Sequence, residues 1–491
     1  MPTTRTVTSN ILWRLLERTG AQGVTFIVSL ILARLLDPQI YGLIAIVSVI
    51  TGFLSIFIDC GCGTALIQKK DADELDFSSV FIFNITTSII IFIIIFLIAP
   101  YIQNYYHQEN LALYVRVSAI NLLFGAAKSI QSTIVAKELI YKKFFFSTLL
   151  GTVCAAITGI VMAFMGCGIW ALIIQGLVNN AIDTIVLWLT VHFKPKMIFS
   201  WKRIKELILF SWKLVVISFS SNIFETLKQL CIGKNYSSTD LAFYNRGTSY
   251  PNIFSTNLNS AIESVVYPSM AKEQDNPERL KQMTRRAVKT TSYIIFPTLL
   301  GLALCAKPLI SLIITDKWLK AADYMYLFCF IYALYPLQTS NIDALKVLGK
   351  VDIIFRNDII KILLNFLCLV LFIRFDLLIL LTSFLCVELI SFIIYSFTTR
   401  RLIHYGFFAQ FKDLFPNFLI TILMGSIVFA ESFIPVSNIY LVLIQVPTGI
   451  LSYFILSKLF HIESYSYLLD VLKNYVHEKP GILQKLSRNH K

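Results

Sequence analysis

Charge is what this sequence has least of. Of 491 residues only 15% are Asp, Glu, Lys or Arg, and mean hydropathy is +0.70. Soluble domains carry about 25% charged residues, so a water-surrounded globule is excluded. No Cys-x-x-Cys pair occurs, and the six histidines do not cluster with the nine cysteines. That leaves no zinc or redox motif. Cys60, Cys62, Cys154, Cys167, Cys231, Cys305, Cys329, Cys368 and Cys386 read as small apolar core residues. There is no phosphate-cradling glycine loop and no acid–base pair on a sizeable loop. The longest expected outer loop, "QNYYHQENL" at 103–111, holds one histidine. A glycan polymerase or a lipid-linked-sugar transferase therefore finds no support, and no metal or cofactor is implied.

What is present is apolar length. "FIFNITTSIIIFIIIFLIAPYI" (81–102) exceeds the ~20 residues a helix needs to cross a bilayer. Fourteen such spans are expected, near 13–35, 42–67, 79–102, 112–136, 144–166, 168–192, 207–233, 241–268, 288–314, 320–345, 354–374, 377–399, 411–432 and 437–459. Lipid offers backbone amides no partner, so the fold is all-α and polytopic. The first run is read as a span and not as a cleaved signal peptide. It is too long, carries charges where a short apolar region belongs, and is followed by no small-residue site. The net charge of +14 does not point to nucleic acid. With the N-terminus in the cytoplasm, most Lys and Arg fall in loops and tails on that side. There they meet anionic headgroups, and both termini come out cytoplasmic.

Outer loops are short, as "GCG" (166–168) shows; the longer connections, 194–207 and 271–286, are cytoplasmic. The first, "KPKMIFSWKRIKEL", mixes Ile198, Phe199 and Trp201 with Lys202, Arg203 and Lys205, and is expected to lie as an interfacial helix. An internal repeat sets "ARLLDPQIYGLIA" (33–45) against "KNYSSTDLAFYNR" (234–246), and "GTALIQKK" (63–70) against "SVVYPSMAK" (264–272). It implies two six-span lobes, 1–206 and 207–405, related by a pseudo-twofold along the membrane normal. Two added spans follow at 406–460, then a basic cytoplasmic tail at 461–491 with a membrane-surface helix. Parallel repeats of this kind mark transporters.

On these strings the chain resembles a known family. "LERTGAQGVTFIVSLILARLLDPQIYGLIA" (16–45), "FYNRG" (243–247) and "VVYPSMAK" (265–272) are similar to Wzx-type polysaccharide flippases. These belong to the multidrug/oligosaccharidyl-lipid/polysaccharide exporter superfamily, and the resemblance runs along essentially the whole chain. It implies a flippase of the bacterial cytoplasmic membrane. The substrate would be an oligosaccharide on an undecaprenyl-pyrophosphate-type carrier, with the polysaccharide polymerase machinery as a partner. Capsule, O-antigen, exopolysaccharide and teichuronic-type glycans stay equally open.

Charged and polar residues inside the spans are the candidate site, because they usually face a bundle interior or a wet cavity. In the first span Arg14, Arg18, Gln22, Thr25 and Ser29 share a stripe; the two arginines also fit headgroup anchors. In the seventh, Ser218, Ser221, Asn222, Glu225, Lys228 and Gln229 share a face, with Glu225 and Lys228 placed to pair. The fourth carries Ser118, Asn121, Gly125, Lys128 and Ser132, and Lys128 has no carboxylate within a turn on that face. Arg14, Arg18, Arg116, Lys128, Lys228 and Arg246 are candidates for a cationic cavity, with Gln22, Thr25, Ser29, Asn121 and Asn222 as its polar seam. Arg116 and Arg246 fit anchors equally well. Candidates for ion coupling are Asp59, Asp183, Glu225, Glu263, Asp343 and Glu388. Asp183, Glu263 and Glu388 lack a local partner, whereas Asp343–Lys346 and Asp358–Lys361 sit at pairing distance along one helix. Gly151, Ala155, Gly159 and Ala163 form a close-packing stripe. The alternative function, an ion-coupled drug or metabolite antiporter of the same superfamily, is disfavoured by the basic stripes. A purely structural bundle is disfavoured by the repeat.

Overall fold

A computed structural model describes the backbone of residues 4–470 and 473, with the side chains of 4–12, 14–19 and 213–221 outside the description. Every regular element among the described residues is helical. The order is α1 (Thr4–Leu35), α2 (Pro38–Asp59), α3 (Cys62–Gln68), α4 (Glu74–Tyr106), α5 (Leu111–Ser118), α6 (Ile120–Lys137), α7 (Tyr141–Phe164), α8 (Ile169–Thr190) and α9 (Trp201–Asn235). There follow α10 (Ser238–Ala271), α11 (Pro277–Leu304), α12 (Ala306–Ile314), a 3-10 turn (Asp316–Trp318), α13 (Lys320–Val347), α14 (Val351–Phe372), α15 (Leu377–Ile403), α16 (Phe407–Glu431) and α17 (Asn438–Leu459). Nine helical stretches among the described residues are long and apolar enough to cross a bilayer: α2, α4, α5 with α6, α7, α8, α11, α15, α16 and α17. The helices α10, α13 and α14 match them in length but are too polar or too charged to be counted with them. Each carries several ionised residues, among them Arg246, Glu263, Asp343, Lys346, Asp358 and Lys361.

The chain divides into two compact units, 1–242 and 243–491. In the first, α7 packs between α1 and α8, while α4 packs against α5, α6 and α9. The small-residue stripe makes the α7–α8 approach. A Cβ on Gly151 would lie 2.9 Å from the Asn179 carbonyl oxygen, and one on Gly159 would lie 3.1 Å from the Gln175 side chain. In the second unit α11 packs on α13 and α16, and α13 on α15. The string "FYNRG" earns its sequence there. Phe243 meets Trp318 edge-on at 5.9 Å, Arg246 lies 5.5 Å over the same ring, and a Cβ on Gly247 would be 2.9 Å from the Ala321 carbonyl oxygen.

The repeated strings mark the same local event. Leu35 ends α1 and Pro38 opens α2. Asn235 ends α9, and Ser237 caps α10 by accepting from the Asp240 amide at 2.9 Å. The second pair of strings diverges: α2 stops at Asp59 and a short α3 follows, whereas α10 runs on to Ala271. One expectation is corrected. Of the stretch 194–207, expected as an interfacial helix, residues 194–200 are irregular and the helix starts only at Trp201. The Lys196 and Ser200 amides donate to Ser78 Oγ and Ser79 Oγ of α4, each at 3.0 Å, in place of intrahelical bonds. Pro195 adds a second obstacle to a helix there. The fourth span, expected at 112–136, is the stretch Leu111–Lys137, in which α5 and α6 meet at Ala119. All nine cysteines are unbridged.

The end of the described chain docks onto the second unit. Ile462 joins Tyr293, Ile420, Met424 and Tyr453 in one apolar cluster, Arg286 lies 4.7 Å over the Tyr467 ring, and the Lys289 ammonium donates to Glu463. That hydrogen bond holds the Glu463 carboxyl below the usual glutamate range. A depressed folded-state value adds stability above the unfolded glutamate value, and that stability is lost as pH falls through the folded one. Amide protection of 462–470 is therefore expected to hold from neutral pH to about pH 5 and to drop as pH falls below about 4. In Glu463→Gln it should start lower and change less. An equal drop in both proteins would refute the linkage.

Candidate functional site

In the first unit the polar residues of α6 and α8 form one seam. Lys128 Nζ donates to Asp183 Oδ2 at 2.9 Å and to Asn180 Oδ1 at 3.3 Å. Asn180 Nδ2 donates to Asn121 Oδ1 at 2.8 Å. The Trp188 indole donates to the Ala127 carbonyl at 2.9 Å. This corrects the expectation of an unpaired Lys128 and of a partnerless Asp183. Each is the other's partner, across two helices and 55 positions. The lysine and the aspartate keep 27% and 15% side-chain exposure, so the pair is reachable while largely desolvated. Asp183 Oδ1 has no hydrogen-bond partner among the described residues.

Asp59 has a different role. Both its carboxylate oxygens accept from the Gly63 amide at 3.2 Å, and Oδ1 also accepts from Asn84 Nδ2 at 3.2 Å. Asn84 donates in turn to Ser129 Oγ at 2.9 Å. The carboxylate thus joins the α2–α3 turn to α4, and Asn84 links it to α6. A Cβ on Gly63 would lie 2.9 Å from Thr133 Oγ1, so a larger residue there would have to displace that side chain.

The remaining first-unit candidates differ in exposure, from Lys228 at 11% to Glu225 at 50% of the side chain. Lys228 and Glu225 pair along α9, as their spacing predicts, with Lys228 5.6 Å from the Phe224 ring centre. Asn222 is exposed on the same helix. On α1, Gln22 and Thr25 are exposed, and the half-buried Ser29 donates to the Phe26 carbonyl at 2.8 Å. Arg116, at the end of α5, donates from Nε to the Phe96 carbonyl at 3.0 Å and lies 4.2 Å over that ring, an anchor's arrangement. Arg14, Arg18, Ser218 and Ser221 lie outside the residues whose side chains are described.

The second unit holds two lysine-centred clusters. Lys346 Nζ is 2.9 Å from Glu263 Oε1 and 3.0 Å from Asp343 Oδ1. Lys361 Nζ is 2.8 Å from Glu388 Oε2, which also accepts from Gln338 Nε2 at 2.8 Å. Glu263 and Glu388, which lack a local partner, both have lysines from other helices. The expected Asp358–Lys361 pair is replaced. Lys361 turns to α15, and Asp358 accepts from the Tyr395 hydroxyl at 2.6 Å. Asn180 and Gln338 went unnoticed in the sequence, although "VNNAID" and "PLQTSN" are polar enough inside apolar runs to have flagged them. No group of three or more His, Cys, Asp or Glu among the described residues is placed to hold a metal ion. The arrangement suits binding and exchange of charged groups.

Comparison with known proteins agrees with this fold. The family described as polysaccharide biosynthesis protein matches residues 31–323. The chain is 25% identical over 389 residues to the teichuronic acid biosynthesis protein TuaB of Bacillus subtilis (strain 168), covering 78% of this chain and 80% of that protein. It is 22% identical over 351 residues to the succinoglycan biosynthesis transport protein ExoT of Rhizobium meliloti (strain 1021), covering 72% and 71%. Its fold matches the solved structure titled lipid II flippase MurJ, inward closed conformation, with a TM-score of 0.71 and 15% identity over 92% of this chain and 99% of that one. The protein is a multi-pass helical membrane protein of that architecture.

Proposed function

The chain belongs to the polysaccharide biosynthesis protein family, and from that membership we propose that it is a flippase. It moves isoprenoid-pyrophosphate-linked oligosaccharide repeat units across the bacterial cytoplasmic membrane by alternating access. The observation that carries this reading is the family match over 31–323, which spans Lys128, Asp183, Glu225, Lys228, Arg246 and Glu263. Cationic side chains, Lys128, Lys228 and Arg246 with Arg14 and Arg18, attract the pyrophosphate. Hydroxyl and amide side chains accompany the glycan, and the undecaprenyl-type tail stays in lipid. No covalent bond of the substrate is made or broken, so the protein is not an enzyme. The energy comes from an ion gradient or the membrane potential, which supplies about 2.3 kcal/mol per charge per 100 mV. Both termini lie in the cytoplasm, and the polymerase that extends the exported repeat units is a partner.

Deleting the gene should abolish surface glycan and leave lipid-linked repeat units accumulating on the cytoplasmic leaflet, with the wild-type chain restoring export. Normal glycan in the deletion strain, together with a change in drug susceptibility, would replace this reading with the antiporter one.

A further inference from the structure

The helix α10 carries an exposed polar row. Thr256, Ser260, Glu263 and Tyr267 recur at steps of four, three and four; Glu263 is half-buried and the others are exposed, as are Asn257 and Ser264 beside them. The Thr256 and Ser264 hydroxyls donate to carbonyls of their own helix at 2.7 Å, which leaves their lone pairs free to accept from outside. In a membrane-embedded helix such a row belongs against water or a polar ligand, because lipid tails offer it nothing.

At Glu263 the row meets a charged group with an asymmetric environment. Lys346 of α13 is held by two carboxylates, Glu263 from α10 and Asp343 from its own helix, at 2.9 and 3.0 Å, and lies 5.8 Å from the Tyr267 ring centre. Asp343 is enclosed at 3% side-chain exposure, whereas Glu263 and Lys346 each keep 37%. Of the two carboxylates on the ammonium, Glu263 is therefore the exposed one. Among the described residues, the lysines and arginine named next have partners of their own. Tyr335 lies within electrostatic reach of Glu263. Lys361 of α14 is taken by Glu388 of α15, and Asp358 by Tyr395. Arg285 and Lys289 of α11 are bound to Asp413 and Glu463. Behind the group, Ala344 and Val347 belong to an apolar cluster with Met270, Leu280, Ala287 and Val288. Two carboxylates thus share one ammonium at the edge of a dry wall.

We propose that Lys346 receives the phosphate of the transported lipid and that Glu263 is the stand-in it displaces, with one proton taken up in the exchange. This rests on the flippase reading. Incoming phosphate oxygens replace Glu263 Oε1 on the ammonium. The displaced carboxylate has lost its cation and faces a second anion, and both changes favour its neutral form, so it takes a proton from water. Lys346 stays charged, Asp343 keeps its bond, and no covalent bond of the substrate changes. One ion pair is exchanged for another, and a proton enters with the substrate.

The test uses the detergent-solubilised full chain and farnesyl pyrophosphate, titrated calorimetrically in two buffers of different ionisation heat. The wild type should take up as much as one proton per bound ligand beyond the probe's own titration. Its affinity should fall by up to about tenfold per pH unit between about pH 6 and about pH 8. Glu263→Gln should bind at least as tightly at the higher pH and lose the extra uptake. Lys346→Gln should bind about tenfold more weakly, while Lys346→Arg keeps binding and so reports that the fold is intact. Unchanged proton uptake in Glu263→Gln, undiminished binding in Lys346→Gln, or no binding by the wild type overturns the proposal. The flippase reading is judged separately, by glycan export from the deletion strain.

Discussion

Gly42→Ala should leave little folded protein in the membrane. A Cβ built on Gly42 lies 1.7 Å from the Ser238 carbonyl oxygen and 2.2 Å from its carbon. Both are backbone atoms at the start of α10, so no side-chain rotation relieves the overlap. Either α2 or the α9–α10 turn must move. Ordinary overpacking of a core costs about 1–3 kcal/mol, and a collision with main chain should exceed that range. Gly52→Ala is the control. It sits on the same helix with nothing within 4 Å of the added atom, and replacing an interior helical glycine by alanine is worth up to about 1 kcal/mol in favour of the helix. Thermal melts in detergent should place Gly42→Ala well below the wild type and Gly52→Ala at or above it. Equal melting of Gly42→Ala and wild type would mean that the native packing lacks this approach.

The second large effect is expected at Lys128 and Asp183. Removing one member of a buried ion pair strands the other and costs about 3–5 kcal/mol. With side-chain exposures of 27% and 15% this pair belongs near the low end. Lys128→Met alone should destabilise by about 3 kcal/mol, because Asp183 Oδ2 would lose the ammonium it accepts from, and its Oδ1 has no partner among the described residues. Combining Lys128→Met with Asp183→Asn should recover most of that loss, since a neutral pair has no charge left to solvate. A double-mutant cycle on detergent melts measures the coupling, and additive losses would show that the two side chains act independently. Export should stay impaired in the stable double variant if Lys128 also attracts the pyrophosphate. Full export there would confine Lys128 to a structural role.

The partners of these charges mark where sequence reasoning stops. Lys128 and Asp183 each look solitary along their own helices, and together they are a pair 55 positions apart. Lys361 has a carboxylate, Asp358, three residues before it, yet it bonds Glu388 on α15. Lys346 fits its local prediction with Asp343, but the second ligand, Glu263, comes from another helix. Helical periodicity places a residue on a face and names its neighbours within one turn. It carries no information on which helix meets that face. Residues 194–200 failed for a related reason, because their composition suits an interfacial helix while α4 serines capture their backbone amides.

The sequence by itself determined the all-helical membrane class, the family resemblance and the small-residue stripe on α7. The class and the stripe follow from local chemistry: apolar length, and the room that a missing side chain leaves. Only the tertiary structure decided which buried charge neutralises which. It also showed that α10 carries an open polar row ending on a lysine shared by two acids, because a cross-helix distance is set by the packing of whole helices and not by the spacing of residues along any one of them.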